Sequence, residues 1–141
     1  MTDSLPQLVS RLLDQVLAGL HEHLAGHGFP DLRPTHVVNV LARIDCDGSR
    51  PTALASRAGM TTQAISELVA YLERAGYVRR VPDPKDGRAR VVVFADRGEQ
   101  AAKVAAEYFE ELEHRGAREV GAERFADVKA ALAQLTRADR P

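Results

Sequence analysis

Five cations stand within the twelve residues "RRVPDPKDGRAR": Arg79, Arg80, Lys85, Arg88 and Arg90. Groups spaced in this way suit a row of phosphates, where Arg offers a bidentate fork and Lys a point charge. Just upstream, "TTQAISELVAYLERAG" carries Thr61, Thr62, Gln63 and Ser66, which both donate and accept hydrogen bonds. Gln can pair bidentately with adenine, and Ser or Thr can contact several bases or a phosphate. Asp86, two residues before Arg88, is placed to hold that guanidinium by a charge-assisted hydrogen bond. Together these side chains form a candidate duplex interface. Each group alone also has an ordinary reading, as the solvated face of a helix or as a charged hairpin guarding its edge.

The elements that must position them can be read from spacing. "PTALASRAG" and "TTQAISELVAYLERAG" are two short helices with a tight break at Gly59-Met60. A helix-turn-helix needs a small residue where the helices meet, a Gly at positive φ in the turn, and apolar residues inside. Ala55, Gly59, Ile65 and Leu68 stand at those positions, and Thr61 or Thr62 can cap the second helix. In that helix Ile65, Leu68, Val69 and Leu72 face inward; Thr62, Gln63 and Ser66 share the opposite side near the N-terminal end, where a recognition helix meets the major groove. "YVRRV" and "RVVVFA" read as strands joined by "PDPKDGRA", with an Asp-Gly turn signal. A basic ribbon beside such a helix is a wing, able to lay contacts along the backbone and put its tip into a minor groove.

Around this centre, Leu5 to Leu24 repeat apolar residues every three or four positions, predicting a long amphipathic helix capped by Ser4 with Pro6 in its first turn. "GHGFPDLRP" is a connector, and a second helix is expected over about Thr35 to Ile44. A long helix from about Asp96 to Arg115 and a shorter one from about Glu123 to Thr136 finish the chain. The order is α-α-α-α-β-β-α-α: a mainly α chain with a small β-hairpin wing. One domain is expected over 1–141, with sub-parts 1–33, 34–95 and 96–141.

Composition fits. The 141 residues are 45% hydrophobic without a Trp, enough for a core packed by Leu, Val and Ala. Between Arg50 and Arg97 nine basic residues face five acidic ones, a surplus of four positive charges in a chain of net charge -1. A localised basic footprint matters more than the total. Cys46 alone allows no intrachain disulfide, so a cytoplasmic setting is expected. No signal peptide or membrane-length apolar run is present.

From Pro51 to Gly98, "LASRAGMTTQAISELVAYLERAGYVRR", "PDPKDGRARVVV" and "DRG" resemble the MarR family of winged helix-turn-helix transcriptional regulators, and the element order follows it over nearly the whole chain. The resemblance implies that Arg88, in Asp86-Gly87-Arg88, is the minor-groove residue. It also implies a homodimer, with the first and last helices interlocked as a helical dimerisation layer. Many members are repressors released by small aromatic acids or other ligands bound between the two layers, which makes His36 and Arg43, seven apart on the second helix, candidates for binding a carboxylate. Two departures stand out. Many members have a basic residue where this chain has Glu67, and an acidic one at Ala70; and the usual Leu-Thr is Phe94-Ala95, which loses the Thr cap and leaves Asp96 as the candidate to take over.

His23 and His27 are four apart, but Gly26 and Gly28 should end the helix and no second ligand pair follows, so no metal is expected. Cys46 between Asp45 and Asp47 is in negative surroundings that blunt thiol reactivity. Neither a catalytic arrangement nor a cofactor motif is evident. The expectation is a homodimeric regulator, a repressor on a palindromic DNA operator. The rivals are a winged helix that binds protein, and a metal- or redox-responsive sensor.

Overall fold

The computed structural model describes residues 2–138. Helix α1 (Leu5–Gly26) starts where Gln7 Oε1 accepts from both the N–H and the Oγ of Ser4, at 2.8 Å each, with Pro6 in the first turn. Its second half buries Leu20 and Leu24; its first half leaves Leu5, Leu8, Val9, Leu12 and Leu13 exposed. The second helix is shorter than its apolar spacing predicts. It runs only over α2 (Pro34–Asn39) and gives way at Val40 to a 3-10 turn, Leu41–Arg43. The Val38 carbonyl, freed by that break, accepts from Arg43 Nε at 3.0 Å. A side chain thus replaces the helical bond, which period counting could not foresee.

Helices α3 (Pro51–Ala58) and α4 (Thr62–Arg74) form the expected helix-turn-helix. Gly59 takes φ +64, and the Met60 N–H reaches back to the Ala55 carbonyl at 3.0 Å. Thr61, not Thr62, is the cap: its Oγ1 accepts from the Ala64 N–H at 3.1 Å. Ala55, Ile65, Val69 and Leu72 are buried, whereas Leu68 is only half-buried.

Strands β1 (Val78–Asp83) and β2 (Asp86–Phe94) pair antiparallel with Val78 opposite Phe94. They extend further than expected, through most of the segment read as a loop, so the turn itself is Pro84-Lys85. Pairing slips between Pro82, opposite Arg90, and Asp83, opposite Asp86, which leaves Gly87, Arg88 and Ala89 outside the ladder. On the far edge of β2, Ser49 and Val92 exchange both backbone bonds, at 3.0 and 2.8 Å. This single-residue bridge ties the start of α3 to the wing.

Helix α5 (Asp96–Val120) begins at Asp96, which is its first residue and, with Glu99, gives the first turn negative charge. Gly121 at φ +90 breaks the chain before α6 (Ala122–Ala138). Both helices run beyond their expected ends. The chain divides into two compact units at Ala105/Ala106, inside α5. In the first, Ala101 and Ala105 are buried. In the second, Gly116 admits Phe125, since a Cβ there would fall 2.4 Å from its ring, and Lys129 pairs with Glu113 at 2.6 Å. Helix α6 buries no side chain of its own: Val128, Leu132 and Leu135 are exposed. None of the described helices is long and apolar enough to cross a membrane.

Candidate DNA interface

At 100° per residue, the buried Ile65, Val69 and Leu72 define the inner face of α4. The outermost ridge is then Gln63, Glu67, Ala70 and Arg74, spaced four, three and four apart. Thr61, Thr62 and Gln63 are exposed at the N-terminal end, as expected. Ser66 is half-buried, and Glu67 is the exposed residue one turn beyond Gln63. The reading surface is therefore more acidic at its centre than the grouping of Thr62, Gln63 and Ser66 suggests.

The wing divides its cations into two kinds. Arg90 lies across the ribbon, its Nη2 donating to the Arg80 carbonyl at 3.2 Å. The Arg80 side chain is half-buried, 4.0 Å from Glu73, whose other oxygen accepts the Arg80 N–H at 3.2 Å. These two brace the wing against itself and against α4. Arg79, Lys85 and Arg88 are exposed, and among the described residues their charged ends have no ion pair. Cations without an internal partner, one at the foot of the wing and two at its tip, attract phosphate without first losing an ion pair.

Asp86 differs from expectation. It bonds the backbone of Arg88, not its guanidinium: Oδ1 accepts the Arg88 N–H at 3.2 Å, an Asx-type turn that leaves the guanidinium free. Asp83, in the turn's opposite arm, does the same for the Lys85 N–H at 2.9 Å. That bond, and the Arg50 guanidinium after it, hold the Asp83 carboxyl below the usual carboxylate range.

His36 and Arg43 have different surroundings. His36 is buried, its Nδ1 accepting the Arg33 N–H at 3.0 Å and its ring stacked 4.8 Å from Tyr71. Burial first, and the nearby Arg33 charge second, push its pKa down. Arg43 donates to the carbonyls of Val38 and Arg57, and Arg57 donates back to the Arg43 carbonyl at 2.7 Å. Arg43 and Arg57 thus hold the 3-10 turn to α3. An open cavity of about 610 Å³ does lie nearby, between α1, the connector and α4, and its polar lining includes His21, Asp31, Arg33 and Tyr71. The His27 ring, for its part, meets the His23 carbonyl at 2.7 Å and closes the end of α1.

Spacing missed a polar knot behind the interface. The Arg97 guanidinium grips both oxygens of Asp31, at 3.0 and 3.1 Å, and donates to the Ala75 carbonyl at 2.7 Å. The buried Tyr77 hydroxyl donates to Asp31 Oδ1 at 2.6 Å, and Tyr71 donates to the Asp31 carbonyl, also at 2.6 Å. Tyr77, then Arg97, lower the Asp31 pKa; burial raises that of the Tyr77 phenol well above its ordinary value. The knot joins the connector, the end of α4, the foot of β1 and the start of α5. The only sequence signal for it was "DRG", which carried no partner's address.

Fold and site together define a winged helix-turn-helix. Residues 31–89, from the connector to the wing, match the MarR family model. The transcriptional regulator HosA of Escherichia coli O111:H- is 34% identical over 79 residues, 56% of this chain; the match spans 58% of the length of that relative. The central part of the chain is thus similar to the MarR family, and the chain spans less than two thirds of the length of the relative it matches. Among solved structures, FabT of Streptococcus pneumoniae in complex with DNA superposes with a TM-score of 0.81 at 17% identity, covering 94% of this chain and 92% of that one. CouR from Rhodococcus jostii RHA1 bound to p-coumaroyl-CoA gives 0.74 at 23% identity, with the same coverage, and MarR from E. coli in its reduced form gives 0.77 at 17%, covering 96% and 98%. At these identities the likeness is one of fold.

Proposed function

We propose that this protein is a sequence-specific double-stranded DNA-binding transcriptional regulator that acts as a homodimeric repressor on an inverted-repeat operator. The observation that carries this reading is a set of cations with no ion pair among the described residues, Arg79, Lys85 and Arg88, on a wing beside the exposed ridge of α4. Thr61, Thr62, Gln63 and Ser66 would meet the major groove, and Arg88 an adjacent minor groove. Half-sites would lie about one helical turn apart. The structural likeness to FabT, which was solved with DNA, supports the reading, as does the match of residues 31–89 to the MarR family model. Dimerisation is supported by the exposed apolar stripe on the first half of α1 and by that on α6. Release by a small acidic or aromatic ligand is supported by the cavity beside Arg33 and Tyr71, and CouR provides a relative in fold that binds an acyl-CoA. The ligand would act by favouring one separation of the two recognition helices over another.

Selection of bound duplexes from a random pool tests the reading, with Arg88→Ala protein in parallel. Wild type should enrich a palindrome. The variant should bind it about tenfold or more weakly and lose preference at the minor-groove positions. Affinity should also fall steeply with salt as counterions are released. Glu67 at the centre of the ridge favours one other reading, a winged helix that binds protein; failure to enrich any duplex at low salt would support it instead.

A further inference from the structure

The wing tip poses an electrostatic problem that the strands do not solve. Asp83 and Asp86 are cross-strand partners at the tip, and like charges placed opposite each other push the strands apart. The ladder gives no help there, because pairing slips between Pro82 and Asp83. Yet the backbone of this tip is what carries Lys85 and Arg88.

Arg50 answers the problem from outside the wing. It occupies the cap position of α3, where a short polar side chain would normally accept a backbone N–H, and it makes no cap bond. Its neighbour Ser49 is fixed to Val92 by two backbone bonds, so the Arg50 side chain starts from a defined point beside β2. Its Nε donates to Asp83 Oδ2 at 2.9 Å, and its Nη2 lies 2.8 Å from the same oxygen and 4.0 Å from Asp86 Oδ2. The other oxygen of Asp83 holds the Lys85 N–H, and the other oxygen of Asp86 holds the Arg88 N–H. One guanidinium on α3 thus neutralises two carboxylates, each of which clamps the backbone of one tip cation.

We propose that Arg50 is the positioning residue of the wing: through Asp83 and Asp86 it fixes Lys85 and Arg88 at the height and angle at which they meet DNA. The role rests on the DNA-binding reading above, but the clamp itself is a property of the free protein. The Arg50 side chain is 45% exposed, though that of Asp83 only 10%, and a pair open to solvent on one side contributes modestly to overall stability, so its main effect falls on the tip. Lys at this position keeps the charge but cannot fork onto one carboxylate while facing the second.

Three measurements on the full chain test it. Amide exchange in the free protein should quicken at Lys85 and Arg88 in Arg50→Ala, while Tm stays near wild type. Affinity for the duplex enriched from the random pool should fall about tenfold in Arg50→Ala and recover only partly in Arg50→Lys. In a Lys85→Ala/Arg88→Ala background, Arg50→Ala should cost nothing further, since the groups it positions are gone. Unchanged exchange at the two amides would overturn the clamp. An equal loss in both backgrounds would make Arg50 a phosphate contact in its own right and overturn the positioning role. If no duplex is bound at all, the DNA role falls, while the exchange data still report on the clamp.

Discussion

At the scale of single residues, the cations of the central segment do two different jobs that composition cannot separate. Arg50, Arg57 and Arg97 are spent on Asp83, Asp45 and Asp31, whereas Arg79, Lys85 and Arg88 have no ion pair among the described residues. A charge count sees nine equal cations; only the fold shows which remain available. His36 makes the same point for titration. It must be neutral to accept the Arg33 N–H, and burial holds its folded pKa below the ordinary histidine value near 6.5. The unfolded chain then takes up this proton first as pH falls. Stability from His36 is full above about 6.5 and is lost as pH drops through that value toward the lower folded pKa, at no more than about 1.4 kcal/mol per pH unit. Gln at this position can still accept the Arg33 N–H, as in a capping box, and does not titrate. Thermal melts from pH 7.5 to 5 should therefore fall less steeply for His36→Gln than for wild type. Equal slopes would mean that His36 does not couple protonation to folding.

Element boundaries were legible where local chemistry decides them. Gly59 and Thr61 fix the turn and the cap of α4 by backbone preference and a short-range bond, so "GMTT" showed the turn and narrowed the cap to Thr61 or Thr62. Strand existence was equally clear from the β-branched runs. Legibility ended where a distant side chain intervenes. Apolar spacing carries the second helix to Ile44, but Arg43 satisfies the Val38 carbonyl and lets the chain tighten at Val40. Asp31, alone in a Gly- and Pro-rich connector, gave no hint of Tyr77 and Arg97, 46 and 66 residues away. Gly98 shows the same limit with a consequence for stability. By helix propensity, Gly98→Ala in the first turn of α5 should stabilise by up to about 1 kcal/mol. Its Cβ, however, would lie 1.9 Å from the Tyr77 carbonyl oxygen, which also accepts the Ala95 N–H at 3.0 Å. Neither backbone group can move without disturbing a fully buried tyrosine. The sign reverses: we expect Gly98→Ala to cost about 1–3 kcal/mol in chemical denaturation. Gly26→Ala, which would meet nothing within 4 Å, serves as the control that is neutral or stabilising. A stabilised Gly98→Ala would show that α5 can shift away from β1 freely.

For the whole molecule, the decisive feature is apolar surface that one chain leaves uncovered. Leu5, Leu8, Val9, Leu12 and Leu13 are 45–58% exposed along the first half of α1, at the spacing of a single helical stripe. Helix α6 adds Val128, Leu132 and Leu135, 39–53% exposed, and buries nothing. Stripes of this kind mark an interaction surface more often than a solvated one. If α1 meets a second copy, carboxylates on its stripe would be buried against apolar partners in the dimer but would sit in water on a lone chain. Leu8→Glu with Leu12→Glu should therefore shift sedimentation from dimer to monomer. Far-UV circular dichroism guards against mistaking unfolding for dissociation, since a dimer that folds only on association would lose helix as well. Loss of the second recognition helix removes an intramolecular binding step, so affinity for the palindrome should fall about 10²–10⁴-fold while a single half-site is bound as weakly as before. A variant that stays dimeric at full affinity would exclude the α1 stripe from the interface and leave that of α6 to account for it.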